Sequence, residues 1–141
     1  MPPQIKDSGL NWHPHARTVL MCNFKGFIVP EITKRRPVVV ITPRLQYRAN
    51  LCTIVPLSTT PPQHPQPFHV RLSANPHPNE PDELPVWAKC DLIANVSMQR
   101  LDRFQVGYRR FMAPKIPEDD LRNIRNGVLH GLGFGALISD S

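Results

Sequence analysis

The chain has 141 residues, a formal charge of +6 and a sequence pI near 9.7, which bound it to one domain with a modest core and favour a polyanionic partner, a nucleic acid first. No run approaches the roughly 20 apolar residues of a spanning helix. The opening Met1-Pro2-Pro3-Gln4-Ile5-Lys6-Asp7 lacks the apolar centre of a signal peptide, so a cytoplasmic protein without a membrane partner is expected.

Residues 1–16 carry prolines, His13 and His15 without apolar periodicity and read as an arm. A first strand is expected over residues 17–24, with Val19 and Met21 on one face and Leu20, Cys22 and Phe24 on the other. A loop containing Gly26, Pro30 and Glu31 follows. Residues 38–42 form a second strand, apolar enough to be covered on both faces. A basic loop with Arg44, Tyr47 and Arg48 leads to a third strand over residues 51–57, closed by Ser58-Thr59-Thr60.

Eight prolines fall between Pro61 and Pro85. Within that tract Phe68-His69-Val70-Arg71-Leu72 alternates as a half-exposed strand does, and residues 73–85 read as a mobile polar excursion. A further strand is expected over residues 86–93, which would set Trp87, Lys89 and Asp91 on one face. Residues 95–104 add a short element. Pro117 suits a helix start and Glu118, Asp119 and Asp120 suit its positive end; Leu121, Ile124 and Val128 make one apolar stripe, and His130-Gly131 a stop. Gly127 should weaken that helix by about 1 kcal/mol relative to alanine. Cys22, Cys52 and Cys90 lie in apolar runs and read as reduced core thiols. Seventeen prolines, about twice the usual share, favour short strands and stiff loops over long helices. The sum is mainly β: a small, strongly curled barrel of five to seven short strands with a C-terminal helix near residues 117–130, an arm over 1–16, a domain over 17–131 and a flexible tail over 132–141.

One run is unusually specific. In Lys34-Arg35-Arg36-Pro37-Val38-Val39-Val40-Ile41, three cations precede a β-branched strand, and Pro37 holds Arg36 extended at the strand entrance. A guanidinium there can meet a phosphate with its fork of donors.

Taken in order, Pro30-Glu31 ahead of that run, Thr53-Ile54-Val55-Pro56-Leu57-Ser58-Thr59, residues 68–72, Trp87-Ala88-Lys89-Cys90-Asp91-Leu92-Ile93 and Arg100-Leu101 before the helix resemble the PemK/MazF family of toxin–antitoxin ribonucleases. The resemblance spans residues 17–131. It implies an SH3-like barrel that dimerises, is held by a cognate antitoxin, and cleaves single-stranded RNA without a metal or other cofactor. The products would be a 2′,3′-cyclic phosphate and a free 5′-hydroxyl.

Carried over residue by residue, Arg36 would hold the scissile phosphate, and Thr59, with Ser58 beside it, would hydrogen-bond the same phosphate. Lys89 and Asp91 match a cation–carboxylate pair with Asp91 as base, though one branch of the family has arginine where Lys89 stands. Lysine there is a point charge in place of a fork. Lys34, Arg35, Arg44, Tyr47, Arg48 and Trp87 are candidates to line an RNA groove, neutralising phosphates and stacking bases, with Trp87 alternatively in a dimer core. Two departures stand out: Ala16-Arg17-Thr18 replaces the Gly-Asp that usually precedes strand one, and residues 25–35 hold no histidine, leaving His64 or His69 as alternatives. The same fold hosts toxins that poison DNA gyrase, and a non-catalytic nucleic-acid-binding barrel is a third class.

Overall fold

Val38, Val39 and Val40 are all fully buried, yet a strand turns successive side chains to opposite faces. In the computed structural model, which describes residues 10–138, the resolution is two cores on either side of one curled sheet. Val39 joins Val19, Val55 and Leu57 beneath the helix, while Val38 and Val40 join Leu20, Cys22 and Ile54 on the opposite face.

Strand β2 (Arg36–Val40) is the axis. It pairs antiparallel with β1 (Val19–Cys22), Val19 opposite Val39 and Cys22 opposite Arg36, and with β3 (Leu51–Ser58), Val38 opposite Pro56. Strand β3 serves two partners along its other edge. Its first half pairs with β6 (Ala94–Ser97), and its last residues pair with β5 (Trp87–Lys89), Leu57 opposite Ala88 and Ser58 opposite Trp87. Strand β4 (His69–Arg71) borders β5, and β7 (Leu101–Asp102) borders β1. The result is a seven-stranded, barrel-like open sheet, plus a separate ribbon of β8 (Phe104–Gly107) and β9 (Arg110–Met112). The mainly β fold with one C-terminal helix is as expected from the sequence, but the ribbon lies in residues that the sequence left unread.

Strand one is shorter than expected because Arg17 has φ 82°, a left-handed backbone that cannot continue a strand. Its guanidinium instead donates to the Ile116 carbonyl at 2.7 Å. The expected strand over residues 86–93 also breaks. Pairing ends at Lys89, and a 3-10 turn over Cys90–Leu92 redirects the chain so that β6 can run along β3. Asp91 is therefore not on a strand face shared with Lys89.

Helix α1 (Glu118–Gly131) begins after Pro117 and buries Leu121, Ile124 and Val128, each contributing roughly 2 kcal/mol by removal from water. Gly127 is buried too. A Cβ built there would sit 2.7 Å from both Cys90 Sγ and Val70 Cγ2, so the residue that weakens the helix lets it reach the sheet.

Residues 73–85 are not a loose excursion. The buried Asp120 carboxylate accepts from the Ser73 backbone N–H and hydroxyl, the latter at 2.8 Å. The buried Asn75 donates to Glu80 at 3.0 Å and accepts from the His77 N–H, and Asn79 donates to the Gln105 carbonyl at 3.0 Å. Proline stiffness and these polar ties fasten the loop where composition alone indicated mobility.

Part of the arm is likewise seated: Pro14 is buried, and Leu10 packs on the second core, donating to the Met98 carbonyl. Residues 132–138, expected as a tail, fold back on the helix, with Phe134 N–H on the Leu129 carbonyl at 2.7 Å and a 3-10 turn over Gly135–Leu137. The remaining expected arm and tail residues lie outside those described. No helix among the described residues is long and apolar enough to cross a membrane.

Candidate functional site

Alternation that buries Val38, Val40 and Ile54 in the second core sends Arg36, Pro56 and Ser58 to the same side of the sheet. Their neighbours across β5, Trp87 and Lys89, and across β4, Arg71 and His69, share that side through directly opposed pairs. The second core stops short of this corner. The face there opens into two adjoining cavities instead of closing on apolar side chains.

One cavity, of about 100 Å³, is lined by Arg36, Ser58 and Thr59 together with Asn75, His77 and Glu80 from the fastened loop. The other, of about 300 Å³, is lined by Glu31, Lys34, Arg36, Ser58, Thr60 and Lys89. Arg36 and Ser58 thus belong to both. Arg36 is exposed and takes part in neither of the two ion pairs found among the described residues, Arg17–Glu118 at 3.7 Å and Arg122–Asp119 at 3.4 Å. A solvent-facing guanidinium with no carboxylate attached is available to an anion. The Ser58 hydroxyl accepts the Thr60 N–H at 3.1 Å and so shapes the turn that presents Thr59.

The loop carrying Glu31 and Lys34 is held by Arg100, whose guanidinium donates to the carbonyls of Asn23 at 2.9 Å and Lys25 at 2.7 Å and lies over the Phe27 ring. Glu31 accepts the Ile28 N–H at 2.7 Å through Oε1, leaving its other oxygen. Arg35, exposed next to Arg36, adds charge at the rim.

Other candidates fall elsewhere. Asp91 lines an adjoining cavity of about 200 Å³ with Glu31, Ile32 and Pro56, and neither of the two that hold Arg36. Arg44, Tyr47 and Arg48 sit in the loop between β2 and β3, beyond the far end of β2, which itself lies roughly 13 Å from Arg36 at the usual strand rise. They border an open cavity of their own. Arg48 is occupied there, donating to Thr53 Oγ1 at 3.1 Å and Asn95 Oδ1 at 3.4 Å. These three line neither of the two cavities that hold Arg36. Trp87 is half-buried on the Arg36 side, with the Arg71 guanidinium 5.9 Å from its ring. His64 is exposed, and His69 stands opposite Lys89 with its Nδ1 accepting the Gln66 N–H.

Sequence reasoning assigned no role to Glu31 or to His77 and Glu80. The first was legible beside Pro30; the others were hidden in a stretch whose composition resembled an unstructured linker.

The three cysteines are free and buried, as expected. Burial pushes the thiols of Cys22 and Cys90 up to about 12, with Arg100 and Arg35 opposing the rise at Cys22 and Asp91 reinforcing it at Cys90. Burial raises Cys52 as well, against the pull of Arg48. None is poised as a nucleophile.

Comparison with known proteins identifies the class to which this small curled sheet belongs. The family described as PemK-like, MazF-like toxin of type II toxin–antitoxin systems matches residues 16–131, and the chain belongs to it. Among curated proteins it is similar to the uncharacterized protein YifN of Escherichia coli K12, 30% identical over 150 residues covering 92% of this chain and 99% of that one. Among solved structures it is similar to MazF from Deinococcus radiodurans (TM-score 0.63, 19% identity, 87% of this chain and 99% of that one). It is also similar to a mycobacterial endoribonuclease in complex with its cognate antitoxin (TM-score 0.58, 16% identity, 86% and 96%). At such identities the structural likeness speaks to the fold alone.

Proposed function

We propose that this toxin is an endoribonuclease that cleaves single-stranded RNA at the Arg36 corner, needs no metal, works in the cytoplasm as a homodimer, and is restrained by a cognate antitoxin. The observation that carries this reading is the shared cavity of Arg36, Ser58 and Thr59, where a phosphate ligand and hydroxyl donors face one volume.

In the proposed reaction the ribose 2′-oxygen attacks the adjacent phosphorus, the bond to the 5′-oxygen breaks as that oxygen takes a proton from water, and a 2′,3′-cyclic phosphate and a 5′-hydroxyl result. Arg36 neutralises charge growing on the non-bridging oxygens, and the Thr59 hydroxyl donates to the same group. Lys89 and Lys34 hold flanking phosphates. A carboxylate accepts the 2′-OH proton. Glu31 takes that role in preference to Asp91, because Glu31 lines the cavity of Arg36 and Lys89 whereas Asp91 lines its neighbour. Trp87 offers a ring beside the site on which a splayed base stacks.

The test is incubation of the purified chain with single-stranded RNA, with and without EDTA, followed by end-group mapping. Cutting that survives EDTA and leaves cyclic phosphate supports the proposal. Gyrase-dependent DNA breaks with intact RNA would make the chain a gyrase poison; retention of RNA without cutting would make it a binding module.

A further inference from the structure

The β8–β9 ribbon carries a surface that the proposed reaction does not use. From Arg103 to Lys115 the chain has four cations and no acid. Phe104 is buried at the ribbon's root and Val106 packs on the first core, which anchors one side. The other side and the tip stand in solvent: Tyr108 is 80% exposed and Phe111 44%. Arg109 lies over the Tyr108 ring at 5.1 Å and Arg103 over the Phe111 ring at 4.9 Å. Each ring has a guanidinium on one face.

The ribbon is joined to the Arg36 corner in two ways. Leu101 pairs with Cys22, and Cys22 pairs with Arg36, so the strand leading into the ribbon runs two strands from Arg36, roughly 10 Å at the usual spacing. Across the fastened loop, His77, which lines the cavity of Arg36, packs its ring 4.6 Å from that of Phe104, and Asn79 bonds the Gln105 carbonyl.

We infer that the ribbon is a second contact for single-stranded RNA: nucleotides leaving the Arg36 cavity pass His77 and lie along it, bases stacking on Tyr108 and Phe111 while Arg103, Arg109 and Arg110 neutralise phosphates. This rests on the ribonuclease reading for its substrate. Stacked arginine–aromatic pairs with exposed rings suit nucleobases, whose flat faces complete the stack. Self-association with the ribbon on the twofold axis would set this one-signed surface against its copy, like charge against like.

The test uses Arg36→Ala protein as a background that should bind without cutting, and 5′-labelled mixed-sequence RNAs, long or trimmed to a few nucleotides. Tyr108→Ala and Phe111→Ala should each weaken binding of the long RNA at least about fivefold. Both should shrink its advantage over the trimmed one. Replacing Arg103, Arg109 and Arg110 with glutamine should flatten the dependence of log affinity on log salt by about two. Circular dichroism and melting confirm that the variants are folded. Unchanged affinity and salt slope in these variants would overturn the inference. So would loss of the dimer on sedimentation, which makes the ribbon a contact between copies, or selective loss of an acidic peptide with RNA binding intact. If Arg36-intact protein leaves RNA uncut, the ribonuclease reading fails separately, and the same binding comparison still decides the ribbon.

Discussion

Arg36 and Ser58, with Leu57 of β3, line both cavities at the open corner of the β2–β3 hairpin. The ladder pair Val38–Pro56, continued two residues outward, sets Arg36 and Ser58 opposite each other. Arg36→Ala should therefore lower kcat/KM for RNA cleavage by at least about 10²-fold, as for other groups aimed at developing charge. Because Arg36 is exposed, the melting temperature should hardly move. Cleavage kinetics beside a thermal melt check both; full activity removes Arg36 from the chemistry.

The two carboxylates near the site separate by isosteric substitution. Glu31→Gln keeps the oxygen that accepts the Ile28 N–H, so the loop should survive while the proton acceptor is lost. The expected fall in kcat is about 10²- to 10⁴-fold, with the acidic limb of the pH–rate profile abolished. Asp91→Asn should cost less than about tenfold and leave that profile in place. The opposite pattern transfers the base role to Asp91.

Gly127→Ala pits helix propensity against packing. Alanine adds up to about 1 kcal/mol to an exposed helix, but here its methyl would sit 2.7 Å from Cys90 Sγ and Val70 Cγ2. Overpacking of that kind costs about 1–3 kcal/mol. Net destabilisation is expected in urea melts; a more stable variant would show that the helix–sheet contact yields readily.

Alkaline stability should be governed in part by the thiols. In the folded chain Cys22 and Cys90 hold their protons up to about 12, against 9.0 for an unperturbed thiol. Between those values the unfolded chain has released protons that the folded chain retains, so stability falls as pH rises, by up to about 1.4 kcal/mol per pH unit for each thiol. It is fully present below pH 9. Urea melts from pH 8 to 11 on the protein and on Cys22→Ala and Cys90→Ala should show a shallower fall in each variant; parallel curves would mean the thiols do not contribute.

The β-rich framework was legible because it rests on short-range rules: the valine run, the alternation of residues 69–71, the stripe of Leu121, Ile124 and Val128. Arg36 beside the Ser58–Thr59 turn was legible for the same reason, each being fixed by its own strand end. What stayed hidden depended on long-range partners. Asp91 left the Lys89 face because Cys90 turns under the helix, and the loop of residues 73–85 is ordered by Asp120, 47 positions away from Ser73. The ribbon went unread because Arg103, Arg109 and Arg110 obscure its alternation.

A corner fixed by the Val38–Pro56 and Ser58–Trp87 pairs is permanently cocked. The guanidinium already stands at the open edge of the sheet, unpaired with any carboxylate among the described residues. In the proposed ribonuclease, restraint then comes as a lodger: another molecule that occupies the corner and so governs when it falls vacant.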